Sequence, residues 1–296
     1  MLNKGKWDNY YNLPEIQVIR DKIIDTYTNK LVFIEGPHKY YLDGVEYISV
    51  SEVTHKYKPM TSEQMAENCV RKWQSEQDPE YKYFGMSKEE ILAMWKVKSD
   101  MACEFGTDVH AFGESMFYYM TGEPDKILEE CKEQFDEEGP HPRNPQEEAI
   151  VKFWDDLPDN FVPVLAETKV FNRNGTQYAG TFDILFYYVE EIESPKNGLI
   201  IFDYKTNEDL FKNYRGQKLL WPFNDMLDQN ASYYTLQLGC YQVPLENLGY
   251  RVIGRRLIWV RPDGHYEKVK IDSIADRIRD ALNIPTAKEI IEKGIL

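Results

Sequence analysis

The stretch GLIIFDYKT at residues 198–206 decides the fold, because an apolar run ends abruptly in a carboxylate and an ammonium group. Side chains alternate between the two faces of a β-strand, so Asp203 and Lys205 share one face. A mostly apolar strand is typical of one buried inside a sheet. The triplet Asp-Tyr-Lys by itself also allows a simpler interpretation, a surface ion pair where the strand emerges into solvent.

The strand upstream, AGTFDILF at residues 179–186, carries a second isolated carboxylate, Asp183. Burying an unpaired carboxylate costs several kcal/mol, so such a group is usually paired or bound to a metal ion. Carboxylates on neighbouring strands supply the hard oxygen ligands that divalent cations prefer. A lysine beside them can orient or deprotonate a water molecule and offset developing negative charge. Asp183, Asp203 and Lys205 together therefore predict a metal-dependent hydrolytic site.

A third acidic candidate is Glu167, in the predicted strand VPVLAETKVF at residues 162–171. It shares a face with Lys169. The sequence leaves two interpretations open, a member of the site or a solvated residue paired with Lys169.

The segment FGTDVHAFGESMFYY at residues 105–119 has unusual content for a helix. Gly106, His110, Gly113 and Glu114 fall on one face. Two glycines weaken a helix, and they make sense if this face approaches another backbone or a substrate closely. A histidine at such a position is often a hydrogen-bonded core residue. With Asp183 and Asp203 elsewhere in the chain, a His–Asp–Asp metal site is the functional alternative.

The segment SYYTLQLGCYQ at residues 232–242 places Tyr234, Gln237, Leu238 and Tyr241 on one helical stripe. An ordinary amphipathic core helix explains the tyrosines and the leucine. It explains Gln237 less well, which makes Gln237 a candidate site residue.

Patterning along the rest of the chain predicts a mixed α/β (α+β) protein with a central sheet flanked by helices. Asp43-Gly44 is a hairpin turn signal. We expect an N-terminal hairpin and helical extension at 1–104, packed on a core at 105–296 that has an insertion at about 206–229. The predicted helices cover 14–28, 62–76, 88–103, 105–120, 124–138, 145–156, 230–243, 273–283 and 286–293, and the predicted strands cover 31–35, 39–48, 161–171, 177–189, 198–204, 251–261 and 265–271.

The net charge of −15 over 296 residues argues against a protein that coats nucleic acid. It does not exclude a nuclease with a local basic groove, because net charge describes long-range steering and not one cleft. Arg215 and Arg255, within two basic segments, are candidate contacts with nucleic acid, and Tyr214 and Trp221 are candidates for stacking on frayed bases. Solvated charges explain each single basic residue nearly as well.

Several classes of protein are disfavoured by what the sequence lacks. The four cysteines form no CxxC pair, which disfavours a zinc ribbon or a compact iron–sulfur cluster. The longest apolar run has six residues, far short of the ~20 that a bilayer-spanning helix needs. No apolar signal peptide is evident, so we expect a cytoplasmic protein with no membrane partner.

Four segments in order resemble the PD-(D/E)XK nuclease superfamily, and most closely its RecB-like, phage-type exonuclease branch. They are GTDVHAFGE at 106–114, GTFD at 180–183, DYKT at 203–206 and QLGCY at 237–241. The order of the predicted elements also resembles the restriction-endonuclease-like core αβββαβ of that family. The resemblance covers about residues 105–261.

The resemblance implies that His110, Asp183 and Asp203 bind Mg²⁺ or Mn²⁺, with the carbonyl of Tyr204 as a further ligand. It implies that Lys205 positions the attacking water and that Gln237 and Tyr241 support the lysine and the nucleic-acid strand. Glu114 and Glu167 are supporting candidates. It implies neither an iron–sulfur cluster nor a bound nucleotide, since the chain lacks the cysteine run of the iron–sulfur branch and the GxxxxGK[ST] motif of motor proteins.

The function that the resemblance implies is metal-dependent hydrolysis of DNA phosphodiester bonds by an exonuclease, in phage-type recombination, repair or processing. A phage-encoded chain would act in the host-cell cytoplasm. A separate recombinase, annealing protein or helicase would be its partner. Two alternatives stay open, a structure-specific endonuclease on the same fold and a catalytically silent nucleic-acid-binding scaffold. The sequence leaves strand preference and oligomeric state undecided.

Overall fold

The computed structural model describes residues 2–3, 5–7, 13–34, 36–191 and 194–296 of the chain. It shows a mixed α+β protein with a mixed central sheet and flanking helices. The strands are β1 Leu31–Ile34, β2 Lys39–Leu42, β3 Val45–Ser49, β4 Phe161–Asn172, β5 Tyr178–Tyr188, β6 Gly198–Lys205, β7 Val252–Val260 and β8 Tyr266–Lys270. The helices are α1 Pro14–Ile23, α2 Val50–His55, α3 Ser62–Glu76, α4 Lys88–Met120, α5 Pro145–Asp155, α6 Asn230–Asn247, α7 Ala275–Leu282 and α8 Ala287–Lys293.

The eight strands form one sheet in the order β1-β2-β3-β5-β6-β7-β8, and β4 pairs with β5. The pairs β3–β5 and β6–β7 are parallel, and the other pairs are antiparallel. All eight residues of β6 are buried, which fits its almost continuous apolar sequence. The polar pair Asp203 and Lys205 therefore lies at the end of a fully enclosed strand.

β5 and β6 separate where Asp183 and Asp203 stand. Their pairing runs from Tyr188 opposite Gly198 to Ile184 opposite Phe202, and Asp183 and Asp203 come next in register. At its other end β5 pairs with β3 through residues 178 and 179. Residues 180–183 therefore form an opening in the sheet between β3 and β6.

The N-terminal hairpin belongs to this same sheet. Asp43 and Gly44 both have left-handed φ angles, of 52° and 79°, as a two-residue type I′ hairpin turn requires. At the end of β3, Ser49 begins α2 with a capping box in which Glu52 reciprocates. The final residue of the predicted strand 31–35 lies outside the described residues.

Several predicted elements have different bounds in the structure. The helices predicted at 88–103 and 105–120 are one continuous helix, α4, because an internal glycine costs a helix only about 1 kcal/mol. The predicted helix at 124–138 is wrong: two short 3₁₀ segments, Pro124–Lys126 and Glu129–Gln134, take its place. The segment is dense in acidic residues and runs into Gly139-Pro140, which disfavours a regular α-helix.

Two helix ends also differ from prediction. The first predicted helix, 14–28, finishes as a π-helical turn at Ile24–Thr28. α6 passes through Pro244 to end at Asn247, and it is preceded by Gln229 as N-cap instead of the predicted Asn230. The side chain of Asn230 donates to the carbonyl of Asp209.

The described chain divides into two compact units. The first consists of residues 1–56, 109–212 and 229–296 and contains the whole sheet. The second consists of residues 57–108 and 213–228. These units differ from the predicted ranges 1–104 and 105–296, because the N-terminal hairpin pairs with β5 and part of the predicted insertion clusters with 57–108.

Candidate functional site

Three carboxylates meet where β5 and β6 separate. Ala166 pairs with Ile184 and Thr168 with Phe182, so the register of β4 puts Glu167 opposite Asp183. The register of β6 puts Asp203 at the same level on the other side. The backbone N–H of Tyr204 donates to Oδ2 of Asp183 at 2.6 Å. The Asp183 carboxylate thus takes the place of the next rung between the two strands.

Glu167 has a backbone conformation that is rare inside a strand. Its φ angle is +40°, and among the described residues it is the only non-glycine residue within a strand with a positive φ. The left-handed region costs an L-residue roughly 1–2 kcal/mol. Ligand atoms of Glu167, His110 and Asp183 all lie within 4.8 Å of one another. A strained backbone thus accompanies the side chain that completes this group.

Helix α4 supplies the imidazole of the group. Nδ1 of His110 lies 3.2 Å from Oδ2 of Asp183. One turn later, a Cβ atom at Gly113 would lie 2.5 Å from Cε2 of Tyr204, so glycine is what lets the helix come this close to β6. The Tyr204 hydroxyl accepts a hydrogen bond from Nε1 of Trp154 at 2.9 Å, which fixes the ring that Gly113 faces.

Lys205 is held in place by two neighbours. Its ammonium group contacts Oδ2 of Asp203, and its Nζ lies 4.4 Å from the centre of the Tyr234 ring. The Tyr234 hydroxyl donates to Oδ1 of Asn207 at 2.6 Å. The Asp203 side chain is fully buried, and its Oδ1 accepts no hydrogen bond from the described residues, whereas Oδ2 accepts from the Lys205 ammonium group. The ion contact with Lys205 therefore leaves Asp203 with unused ligand capacity.

Crowded negative charge perturbs the carboxylates. Burial and the charge of Asp183 raise the pKa of Asp203 to about 6. Burial and the charge of Asp183 also hold the pKa of Glu167 well above its ordinary value. Burial alone would raise the pKa of Asp183, but the charge of His110 and the hydrogen bond with it outweigh burial and lower it. A further positive charge at this position would therefore stabilise the ionised carboxylates.

The same carboxylates raise the pKa values of the two basic groups of the site, His110 and Lys205. Burial acts to lower the pKa of His110, but the charge of Asp183 and the hydrogen bond with it raise the pKa overall. Burial likewise acts to lower the pKa of Lys205, and the charges of Asp203 and Asp183 raise it above its ordinary value. The surrounding carboxylates thus favour the protonated form of each group, and His110 would have to lose its proton to bind a metal ion.

The donor set fits a divalent cation. Carboxylate oxygens and one imidazole nitrogen are ligands that Mg²⁺ and Mn²⁺ accept. His110, Glu167 and Asp183 present such atoms close together, and Oδ1 of buried Asp203 has no hydrogen-bond partner among the described residues. The ligand group that geometry favours thus contains Glu167, whereas the predicted set was His110, Asp183, Asp203 and the carbonyl of Tyr204.

Gln237 and Tyr241 interact with each other on α6. Nε2 of Gln237 donates to the Tyr241 hydroxyl at 3.0 Å. Tyr241 is almost fully buried, and a Cβ atom at Gly180 would lie 2.8 Å from its ring. The glycine of the GTFD segment thus makes room for this tyrosine. The structure does not support the predicted direct contact between Tyr241 and a nucleic-acid strand, because the tyrosine ring lies inside the protein.

The remaining predicted residues lie in different environments. Oε1 of Glu114 accepts from the Tyr118 hydroxyl at 3.2 Å, and Glu114 is outside the three-residue ligand group. Arg215 is exposed in the second compact unit. Arg255 corrects the sequence prediction: it is buried, and its guanidinium donates to Oε1 of Gln242 and to the carbonyl of Ile271, so it is a core residue and not a contact for DNA.

Sequence reasoning missed two supports of the site. Trp154 holds the Tyr204 ring, and Asn207 binds Tyr234 through its side chain while its carbonyl accepts from Nε1 of Trp259 at 2.7 Å. Trp154 is 50 residues from Tyr204 in sequence, so no local spacing indicates the contact. Asn207 stands two residues after Lys205, and a polar residue directly beyond the strand that carries Asp203 and Lys205 was the available signal.

Comparisons with known proteins leave the family of this chain open. No protein-family model and no curated protein matches it. A solved structure described as the crystal structure of SSO0001 is similar over 97% of this chain and 87% of that chain, with 11% identity and a TM-score of 0.29, which carries no argument about function. Within the described residues, no helix is long and apolar enough to cross a membrane.

Proposed function

We propose that this chain is a metal-dependent deoxyribonuclease of the PD-(D/E)XK superfamily, of the RecB-like type, and that it acts as an exonuclease. One observation carries the proposal. Asp183 and Asp203 stand side by side where two strands separate, with Lys205 bound to Asp203 and His110 against Asp183. Residues from a helix and two strands converge although 73 positions separate His110 from Asp183 in sequence.

The residues divide into a cation-binding set and a positioning set. His110, Glu167 and Asp183 would hold Mg²⁺ or Mn²⁺, with Asp203 as the adjacent carboxylate. When bound, such a cation polarises a phosphodiester and lowers the pKa of a water molecule. The His110–Asp183 contact fixes the ring orientation before the cation arrives.

Lys205 acts as a fixed positive charge. Its contacts with Asp203 and the Tyr234 ring hold the ammonium group at the edge of the carboxylate cluster. An ammonium group held there would donate a hydrogen bond to the attacking water and offset the charge that develops on the phosphate. Asp203 therefore has two tasks, to anchor the lysine and to complete the ligand set.

Cleavage of linear and covalently closed DNA with Mg²⁺, Mn²⁺ or EDTA tests the proposal. We expect cleavage of linear DNA with either metal and none in EDTA, and a loss of roughly 100-fold or more in Asp203→Asn and Lys205→Ala. The matched control is Lys196→Ala, because Lys196 forms an exposed ion pair with Glu190 elsewhere on the molecule. Lys205→Ala turning over as fast as Lys196→Ala would contradict the proposal.

The same assay separates the alternatives. Resistance of the closed circle supports an exonuclease, whereas its cleavage at a junction or flap supports a structure-specific endonuclease. DNA binding without cleavage under any metal would indicate the silent scaffold. The retained set of Asp183, Asp203 and Lys205 argues against that scaffold, since a silent protein has no need of all three.

A further inference from the structure

The second compact unit displays two aromatic rings to solvent. Trp221 is 80% exposed, which is the largest value among the exposed large hydrophobic side chains of the described residues, and Tyr214 is 61% exposed. Both belong to one loop, residues 213–224, which we call the tryptophan loop. Exposed indole and phenol rings offer flat faces on which the bases of a nucleic acid can stack.

The tryptophan loop is anchored to the body of its unit. Phe223 is fully buried and packs edge-to-face on Tyr57 with ring centres 4.7 Å apart. The N–H of Leu220 donates to the Tyr57 carbonyl at 2.8 Å, and the N–H of Leu219 donates to the Met226 carbonyl at 3.0 Å. The neighbours of Trp221 are therefore fixed, and its ring stays exposed on an ordered loop. Such preorganisation lowers the entropic cost of binding a ligand.

The charge of the tryptophan loop differs from that of the whole chain. Residues 213–224 contain Arg215 and Lys218 and no acidic residue, although the protein has 50 acidic and 35 basic residues. Asp225 and Asp228 follow directly, and the N–H of Asp228 donates to the carbonyl of Gln217 at 2.8 Å. The Arg215 guanidinium lies 5.1 Å from the centre of the Tyr214 ring. Arg215 and Lys218 are both exposed. Cations interleaved with exposed rings suit a ligand that has negative charges and flat apolar faces.

We propose that the tryptophan loop binds single-stranded DNA, with Trp221 and Tyr214 stacked on unpaired bases and Arg215 and Lys218 on phosphates. The inference rests on the proposed function, since DNA is the substrate there. Base faces are accessible only in an unpaired strand, and stacking is tolerant of sequence. A duplex would offer phosphates to the two cations but no base face to the rings.

Fluorescence anisotropy of labelled oligothymidylate, titrated with the full chain in EDTA, tests this inference without cleavage. We expect Trp221→Ala to raise the dissociation constant about 5- to 100-fold, the effect of losing one stacked base. Trp221→Phe keeps a ring and should retain most of the affinity. The matched control is Met101→Ala, because Met101 is 66% exposed in the same unit and has no ring.

Equal affinity of Trp221→Ala and Met101→Ala for the single strand would overturn the inference. So would equal binding of a blunt duplex and the single strand, or a dimer of the chain that Trp221→Ala dissolves without any change in DNA affinity. Failure of the nuclease proposal gives a different result. The protein would then cleave no DNA with Mg²⁺ or Mn²⁺, while Trp221→Ala would still weaken the binding of single-stranded DNA in EDTA.

Discussion

At the scale of single residues, Glu167 gives the sharpest prediction. Glu167→Gly should leave the free energy of unfolding in EDTA unchanged or raise it by about 1 kcal/mol. Glycine takes the left-handed φ of +40° without the cost that glutamate bears, and its own entropic cost offsets part of the gain. Added Mn²⁺ should stabilise the wild type by mass action and stabilise Glu167→Gly much less. Urea unfolding with and without Mn²⁺ measures both effects.

Lys169→Gly is the matched control, two residues along the same strand with an ordinary φ. It should lose about 1 kcal/mol in EDTA and keep the full response to Mn²⁺. If Glu167→Gly behaves like Lys169→Gly in both conditions, the strain at Glu167 does not serve the cation site.

Residue chemistry was predictable from the sequence where alternation along a strand decides it. Asp183, Asp203 and Lys205 stand out as charges in apolar strands, and the structure brings them together. The conformation of Glu167 was not predictable, because a left-handed residue inside a strand follows from tertiary packing. Nor was the burial of Arg255, whose partners Gln242 and Ile271 lie 13 and 16 residues away.

At the scale of elements, the close approach of α4 to β6 predicts the effect of a single methyl group. Gly113→Ala should lower the free energy of unfolding by about 1–3 kcal/mol, because the Cβ would meet the buried Tyr204 ring at 2.5 Å. Intrinsic propensity acts the other way, since alanine is favoured over glycine in a helix by about 1 kcal/mol. Urea unfolding monitored by circular dichroism measures the difference.

The control is Gly36→Ala, because a Cβ there meets no atom within 4 Å and its φ is not positive. Its stability should change by no more than about 0.5 kcal/mol. A Gly113→Ala protein as stable as the wild type would show that α4 can retreat from β6, and the place of His110 would then need another explanation.

Elements with strong periodicity or turn chemistry were predictable from the sequence. Short helical segments and long-range strand pairings were not. The strands around the site and the Asp43-Gly44 turn follow from alternation and from residues that tolerate positive φ. The 3₁₀ segments at Pro124–Lys126 and Glu129–Gln134 were mistaken for a helix, since capping and spacing resemble one over short ranges. The parallel pairing of β3 with β5 joins positions 130 residues apart, which no local pattern specifies.

At the scale of the whole molecule, the charge distribution would confine the proposed DNA binding to a few places. A net charge of −15 repels a polyanion from most of the surface. The proposed phosphate substrate would meet three carboxylates unless a cation neutralised them, and residues 213–224 of the tryptophan loop carry two basic residues and no acidic one. The proposed affinity for DNA therefore rests on few groups, and the proposed cation site is the most important of them.

Anomalous scattering from crystals of the full chain soaked in Mn²⁺ tests that claim most directly. The account predicts a strong anomalous peak enclosed by His110, Glu167 and Asp183, beside Asp203, and no such peak in crystals of Asp183→Asn. The exposed pair His141 and Asp136, with Nε2 and Oδ2 2.9 Å apart, serves as an internal control for adventitious binding. An empty cluster at His110, or a peak only at His141 and Asp136, would contradict the account.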